Sequence, residues 1–234
     1  MTEKEMQNLI SRGVEHCKQG NYEKAVADFN TASKYRVNET LLYNRAKAYF
    51  RLRLLDEALN DLNTLIDLFP GNAEWYAERA VIYHYHKKGK EALEDLDKAV
   101  SLDPENGFRY ASRAFIKDFY GDLAGAVGDY EQAIHLDPDD AVSFNNKGLV
   151  EEKLGFAEKA KASFAKADTL VTRFDGPPPS ESQNTSSYLP KENSKTLNNK
   201  SQKLTFRYFL NTAREVISSK KGAQSFLNFI FGKT

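Results

Sequence analysis

One small residue returns along this chain at a fixed interval. Ala25, Ala58, Ala92, Ala126 and Ala160 stand 33, 34, 34 and 34 residues apart, each inside a variant of one phrase: NYEKAVADF, LDEALNDL, GKEALEDL, DLAGAVGDY and FAEKAKASF. Self-similarity at this period marks stacked helical hairpins, each unable to bury its apolar face alone, rather than one closed globule. Such an array buries a continuous core between neighbours and leaves a long surface for binding something else. The class of function this predicts is recognition.

Five copies align, at 6–39, 39–72, 73–106, 107–140 and 141–174, the shared residue 39 marking a register adjustment. The eighth position is always small: Gly13, Ala46, Ala80, Ala114 and Gly148. A bulky side chain there would overpack the contact between the two helices of a hairpin, at a cost of about 1–3 kcal/mol. The twenty-fourth is always large: Phe29, Leu62, Leu96, Tyr130 and Phe164. Pro70, Pro104 and Pro138 end the second helices of the middle copies, because proline cannot continue a helix. Gly20, Gly89, Gly121 and Gly155 fall in or beside the turns inside hairpins, with Asn21 and Asp122 placed to cap the helices that follow.

Charge recurs in step. The seventh position holds Arg12, Arg45, Arg79, Arg113 and Lys147, and the twenty-third Asp28, Asp61, Asp95, Asp129 and then Ser163. In an antiparallel hairpin turning near its fifteenth residue these columns face each other. The expectation is framework pairing, within a hairpin or to its neighbour, with a basic stripe for an anionic ligand as the alternative. The eleventh position is less regular. Tyr49 and Tyr83 fit a large-residue pattern, His16, Lys117 and Glu151 do not, and nothing in the sequence accounts for Lys117.

These columns resemble the tetratricopeptide repeat (TPR), a family of 34-residue helix–turn–helix units, over about three quarters of the chain. The resemblance implies an all-α, right-handed α-solenoid of five TPR hairpins over 1–174, whose first helices line a concave groove. It also implies which positions face that groove. On the second copy they include Tyr43, Asn44, Lys47, Phe50 and Arg51; on the third, His84 and Tyr85; on the fourth, Phe108, Phe115 and Phe119; on the fifth, Asn145 and Asn146. Aromatic anchors of this kind suit a groove that takes a peptide or a helix. Two specialisations of the family do not fit. The co-chaperone carboxylate clamp finds Asn44, but Ile10 and Val14 before it and Glu74 and Glu78 after it, and those glutamates would repel a carboxylate. The asparagine ladder of sugar transferases is broken in the column Ser11, Asn44, Glu78, Ser112, Asn146.

Beyond the repeats, 175–200 has the composition of a flexible linker. Residues 201–234 return to helical periodicity with Phe206, Phe209, Leu210, Ala213, Val216 and Ile217 on one stripe. Net charge is zero overall, but 1–174 carries 24 basic and 29 acidic residues, while 201–234 carries six basic and one acidic. A basic amphipathic segment tethered to an acidic body is expected to dock on the array; pairing with another chain, or lying on an anionic membrane, are the other destinations.

No constellation suggests an enzyme. His84 and His86 are two apart on a helix and point to different faces, a poor metal spacing, and Cys17 has no activating neighbour. One cysteine, no secretory leader and no apolar span point to a cytoplasmic protein. No cofactor, no metal and no nucleic-acid partner are expected. The reading is a non-enzymatic protein–protein interaction module or scaffold that binds a protein or peptide partner in its groove; the alternative is a membrane-associated adaptor anchored by its C-terminal tail.

Overall fold

The computed structural model describes residues 2–174; the expected linker at 175–200 and helices at 201–234 lie outside the described residues. The chain divides into two units, Met1–Ser163 and Phe164–Thr234. The described residues form ten helices and no strand: α1 Glu3–Lys18, α2 Tyr22–Ser33, α3 Glu39–Arg51, α4 Leu55–Leu68, α5 Ala73–Tyr85, α6 Gly89–Leu102, α7 Gly107–Phe119, α8 Leu123–Leu136, α9 Ala141–Lys153 and α10 Ala157–Phe174. Within the first unit α1–α8 pair as antiparallel hairpins, and each second helix packs on the first helix of the next hairpin, as in an α-solenoid.

Local chemistry fixes where these helices begin. Thr2 and Glu5 form a capping box, so α1 starts one turn before the first aligned copy. Asn38, Asn72, Asn106 and Asp140 accept backbone N–H bonds at the starts of α3, α5, α7 and α9. They form a capping column that the sequence reading overlooked, although asparagine or aspartate just before an apolar-periodic run is its usual signature.

Every hairpin turn has one geometry. The N–H of Asn21, Leu54, Lys88, Asp122 and Phe156 bonds the carbonyl five residues back, at 2.8–2.9 Å, as in the Schellman motif. The preceding residue must then be left-handed. Gly20, Gly121 and Gly155 supply φ of 78°, 92° and 82° without steric cost, but Arg53 and Lys87 hold the same place at 63° and 61°. Gly89 therefore stands beside its turn, outside the left-handed position. It opens α6, and a Cβ there would lie 2.5 Å from the Tyr120 ring. Asp122 caps its helix through Gly125 N, whereas Asn21 makes no such bond.

The core follows the repeat. Ala25, Ala58, Ala92 and Ala126 are fully buried, and Ala160 nearly so. Gly13 lets the Phe29 ring approach where a Cβ would stand 2.7 Å from it. Tyr130 and Val150 pack with Ala114 and Ala126, and Leu123 and Leu154 close the edge of this cluster. Full burial of one such large side chain contributes roughly 1.5–3 kcal/mol.

The charge columns pair inside their own hairpins. Arg12, Arg45, Arg79 and Arg113 each donate two hydrogen bonds to the aspartate sixteen residues on, at 2.6–2.8 Å. The third nitrogen reaches back to the preceding hairpin: Arg45 to Asn30, Arg79 to Asn63, Arg113 to Asp97. Lys147 extends the series to Glu131. Each internal cation thus joins two repeats, and the twenty-fifth position is a partner column that was not anticipated. The eleventh position serves the same network. Lys117 lies 2.8 Å from Asp129, and His16 3.7 Å from Asp28. In the fifth hairpin the acid has moved from the twenty-third position to Glu151, which accepts from Ser163 and neighbours Lys147. The seventh column belongs to the framework rather than to a stripe for an anionic ligand.

Candidate functional site

The first helices α1, α3, α5, α7 and α9 form one wall of the first unit, with α1 touching α3, α5 touching α7 and α7 touching α9. Three polar links tie neighbouring helices in this wall across a 35-residue step. The Tyr43 hydroxyl donates to Glu78 at 3.2 Å, Arg109 donates to Glu74 at 2.8 Å, and Lys153 holds Asp118 at 2.5 Å. They fix the spacing of the helices that present the aromatic side chains.

Between α3 and α5 the wall is closed. Tyr43 rests against Trp75 with ring centroids 5.0 Å apart, and Phe50 meets Tyr85 edge-on at 5.1 Å. Glu78 is buried here beside Tyr43, Lys47 and Phe50, around a void of only about 10 Å³, which is room for one water at most and for no ligand. Burial pushes the Glu78 carboxyl up to about 8, with Lys47 opposing, Glu74 reinforcing, and the Tyr43 hydrogen bond and Arg109 opposing. Glu78 therefore carries its proton at neutral pH. Its removal from water also raises the Tyr43 phenol, with Glu78 and Glu74 adding to the effect.

Between α5 and α7 the wall opens into an aromatic strip. The His84 ring lies 4.5 Å from Phe119, 5.7 Å from Tyr85, 5.8 Å from Tyr120 and 6.1 Å from Phe115, in edge-on contacts. Burial lowers the His84 pKa, so the ring is neutral at pH 7 and behaves as one more aromatic. Phe119 nevertheless leaves 61% of its surface in water, and Tyr120 is exposed too.

The structure gathers Phe50, His84, Tyr85, Phe115 and Phe119 into this strip, with Tyr43 and Lys47 beside it; the Lys47 ammonium lies 5.0 Å from the Tyr43 ring. Arg51 sits over the Tyr22 ring at 6.0 Å. Phe50 is buried, so it supports the strip from beneath. Phe108 stands apart at the start of α7, half exposed, and Asn44 returns its amide to the Thr40 carbonyl. Asn145 is buried and donates to Asn146, which lies within hydrogen-bond reach of the Tyr130 hydroxyl. Sequence reasoning missed Trp75, Tyr120 and Arg53. The last two sit in turns, just past the helical positions from which a groove is read.

Among the described residues no group of three or more His, Cys, Asp and Glu side chains could hold a metal ion. Burial pushes the Cys17 thiol up to about 11, against the pull of Lys47 and Arg51, so it is no thiolate nucleophile at neutral pH. No described helix is long and apolar enough to cross a membrane.

A family model for the tetratricopeptide repeat matches residues 11–62 and 43–107. Within 11–107 the hairpins are tetratricopeptide repeats. A search of curated proteins finds no match. Among solved structures, a crystal structure of MamA superposes with a TM-score of 0.64 at 21% identity, covering 70% of this chain and 96% of that one. MamA 41-end from Desulfovibrio magneticus RS-1 gives 0.67 at 18%, covering 75% and 99%. YrrB, a TPR protein with an unusual peptide-binding site, gives 0.57 at 20%, covering 69% and 84%. At these identities the likeness establishes the fold alone, an α-solenoid of helical hairpins.

Proposed function

We propose that this protein is an interaction scaffold whose TPR wall captures a peptide or helix of another protein on the strip formed by His84, Tyr85, Phe115, Phe119 and Tyr120. The observation that carries this reading is Phe119, a large aromatic side chain left mostly in water although three other rings, Tyr85, Phe115 and Tyr120, stand within reach of its neighbour His84. Burying it is the gain a partner would supply, since aromatic anchors at the centre of an interface dominate binding energy. The peptide-binding site of YrrB adds support from a protein of the same fold. The membrane-adaptor alternative rests on residues 201–234, which lie outside the described residues. The test is selection of binders from a displayed library of random peptides, measured against wild type and Phe119→Ala. A loss of about tenfold or more in the variant is expected for removal of a central aromatic anchor. Equal affinity for both proteins would refute the assignment.

A further inference from the structure

The five hairpin turns touch one another in sequence. Arg51 lies 6.0 Å from the ring of Tyr22 in the first turn, and Arg53 lies 5.0 Å from the ring of Tyr85 in the third. His84 meets Phe119 of the fourth, and Tyr120 covers Gly89. Lys153, beside the fifth, holds Asp118. The turns thus form a continuous edge, and its charge is segregated. The first three, 17–22, 50–55 and 84–90, contain no acidic residue, and they present Lys18, Arg51, Arg53, Lys87 and Lys88. Acids flank these turns at Glu23, Asp56 and Glu91; Asp56 lies 3.3 Å from His86, and Lys90 is drawn to Glu94 at 3.8 Å. The last two turns end in exposed aromatic side chains, Phe119, Tyr120 and Phe156. Arg53 and Lys87 occupy the left-handed position that glycine fills in the other three turns. A non-glycine residue there is sterically disfavoured, so the chain keeps these two cations against backbone preference. Such outliers cluster where a side chain has work to do.

We infer that this turn edge selects the partner: a protein segment that sets acidic side chains over the first three turns and one large apolar side chain against Phe119 and Tyr120. The inference rests on the scaffold reading above and adds the chemistry of what is captured. A short segment with a few carboxylates meets only the basic edge. A long polyanion or an anionic bilayer would also meet the remainder of 1–174, a stretch that over its whole length carries 29 acids to 24 bases, and would be repelled at the range of a Debye length, about 8 Å in physiological salt.

The experiment pans a phage-displayed library of random 12-residue peptides on the full chain and measures the recovered peptides by fluorescence polarisation. Two charge variants are used, Arg53→Gln with Lys87→Gln and Lys18→Gln with Lys88→Gln, so that one misfolded pair leaves the other informative. The recovered peptides are expected to be enriched in Asp and Glu around one Trp, Phe or Leu. Each charge pair and Phe119→Ala should weaken them about tenfold, and the charge pairs should remove most of their salt dependence. If Phe119→Ala weakens binding while the charge pairs and salt do nothing, the acidic partner is refuted and the scaffold reading survives. If none of the variants matters, or no peptide is recovered, both fall. Binding to phosphatidylserine vesicles or to a single-stranded oligonucleotide that is tighter than to any peptide and is lost in the same charge variants would refute a protein segment as the occupant.

Discussion

At neutral pH Glu78 sits protonated among Tyr43, Lys47 and Phe50, because burial costs a carboxylate more than these neighbours return. The folded chain therefore binds a proton that the unfolded chain releases, over the window from the ordinary glutamate range up to about 8. Stability contributed in this way is fully present at the acid end and is lost as pH rises through the window. Chemical denaturation at about pH 5 and pH 8 should show wild type weakening between them and Glu78→Gln weakening much less; parallel losses in both would place the pH dependence elsewhere. Lys87 offers a second test on one residue. Its left-handed backbone is strained and its side chain exposed, so Lys87→Gly should raise stability by about 0.5–1 kcal/mol. An unchanged or lower thermal midpoint would show that the turn accepts lysine at no cost, removing one support for a functional cation there.

Within the hairpins, the same Arg–Asp fork stands in different surroundings. Arg45 and Asp61 are both well buried, whereas 60% of the Arg12 side chain is in water. Removing Arg45 strands the Asp61 carboxylate, takes away the donor to the Ser33 hydroxyl and leaves Asn30 with only the Tyr49 hydroxyl. Arg45→Ala should cost about 3–5 kcal/mol in urea unfolding, the usual penalty for breaking a buried pair. Arg12→Ala should cost clearly less, because the Arg12 side of the fork already lies in water and His16 stays 3.7 Å from Asp28. Equal losses at the two sites would mean that burial does not govern these forks. The fork columns were readable in the sequence, since a fixed period and an antiparallel turn put the seventh and twenty-third residues opposite each other. The roles of Lys117 and Glu151 were not, because each depends on which acid the opposite helix happens to supply.

The molecule as a whole is held by neighbour contacts, and arrays of this kind unfold as coupled nearest-neighbour units rather than as one block. Arg79 joins Asp95 in its own hairpin to Asn63 in the preceding one, so Arg79→Ala weakens the middle of the first unit. Its urea transition should be broader than that of wild type, with a lower m-value, while Arg12→Ala at the end keeps the wild-type slope. A single sharp transition for Arg79→Ala, shifted only in its midpoint, would show that the repeats unfold together.

The repeat period, the all-α class and the hairpin pairing were set by the sequence, because each follows from spacing along a regular helix and from residue size, whereas the face carrying the candidate side chains was implied by the resemblance to the TPR family. What sequence spacing could not decide is which members of that face remain in water. Phe50 and Phe119 occupy neighbouring positions of the same pattern, yet one is buried and the other exposed. That difference depends on how close the adjacent helix stands, which the links Tyr43–Glu78, Arg109–Glu74 and Lys153–Asp118 help to set. The joining of turns into one edge with a basic part and an aromatic part is likewise a product of stacking, since side chains more than thirty residues apart meet only when the hairpins are packed.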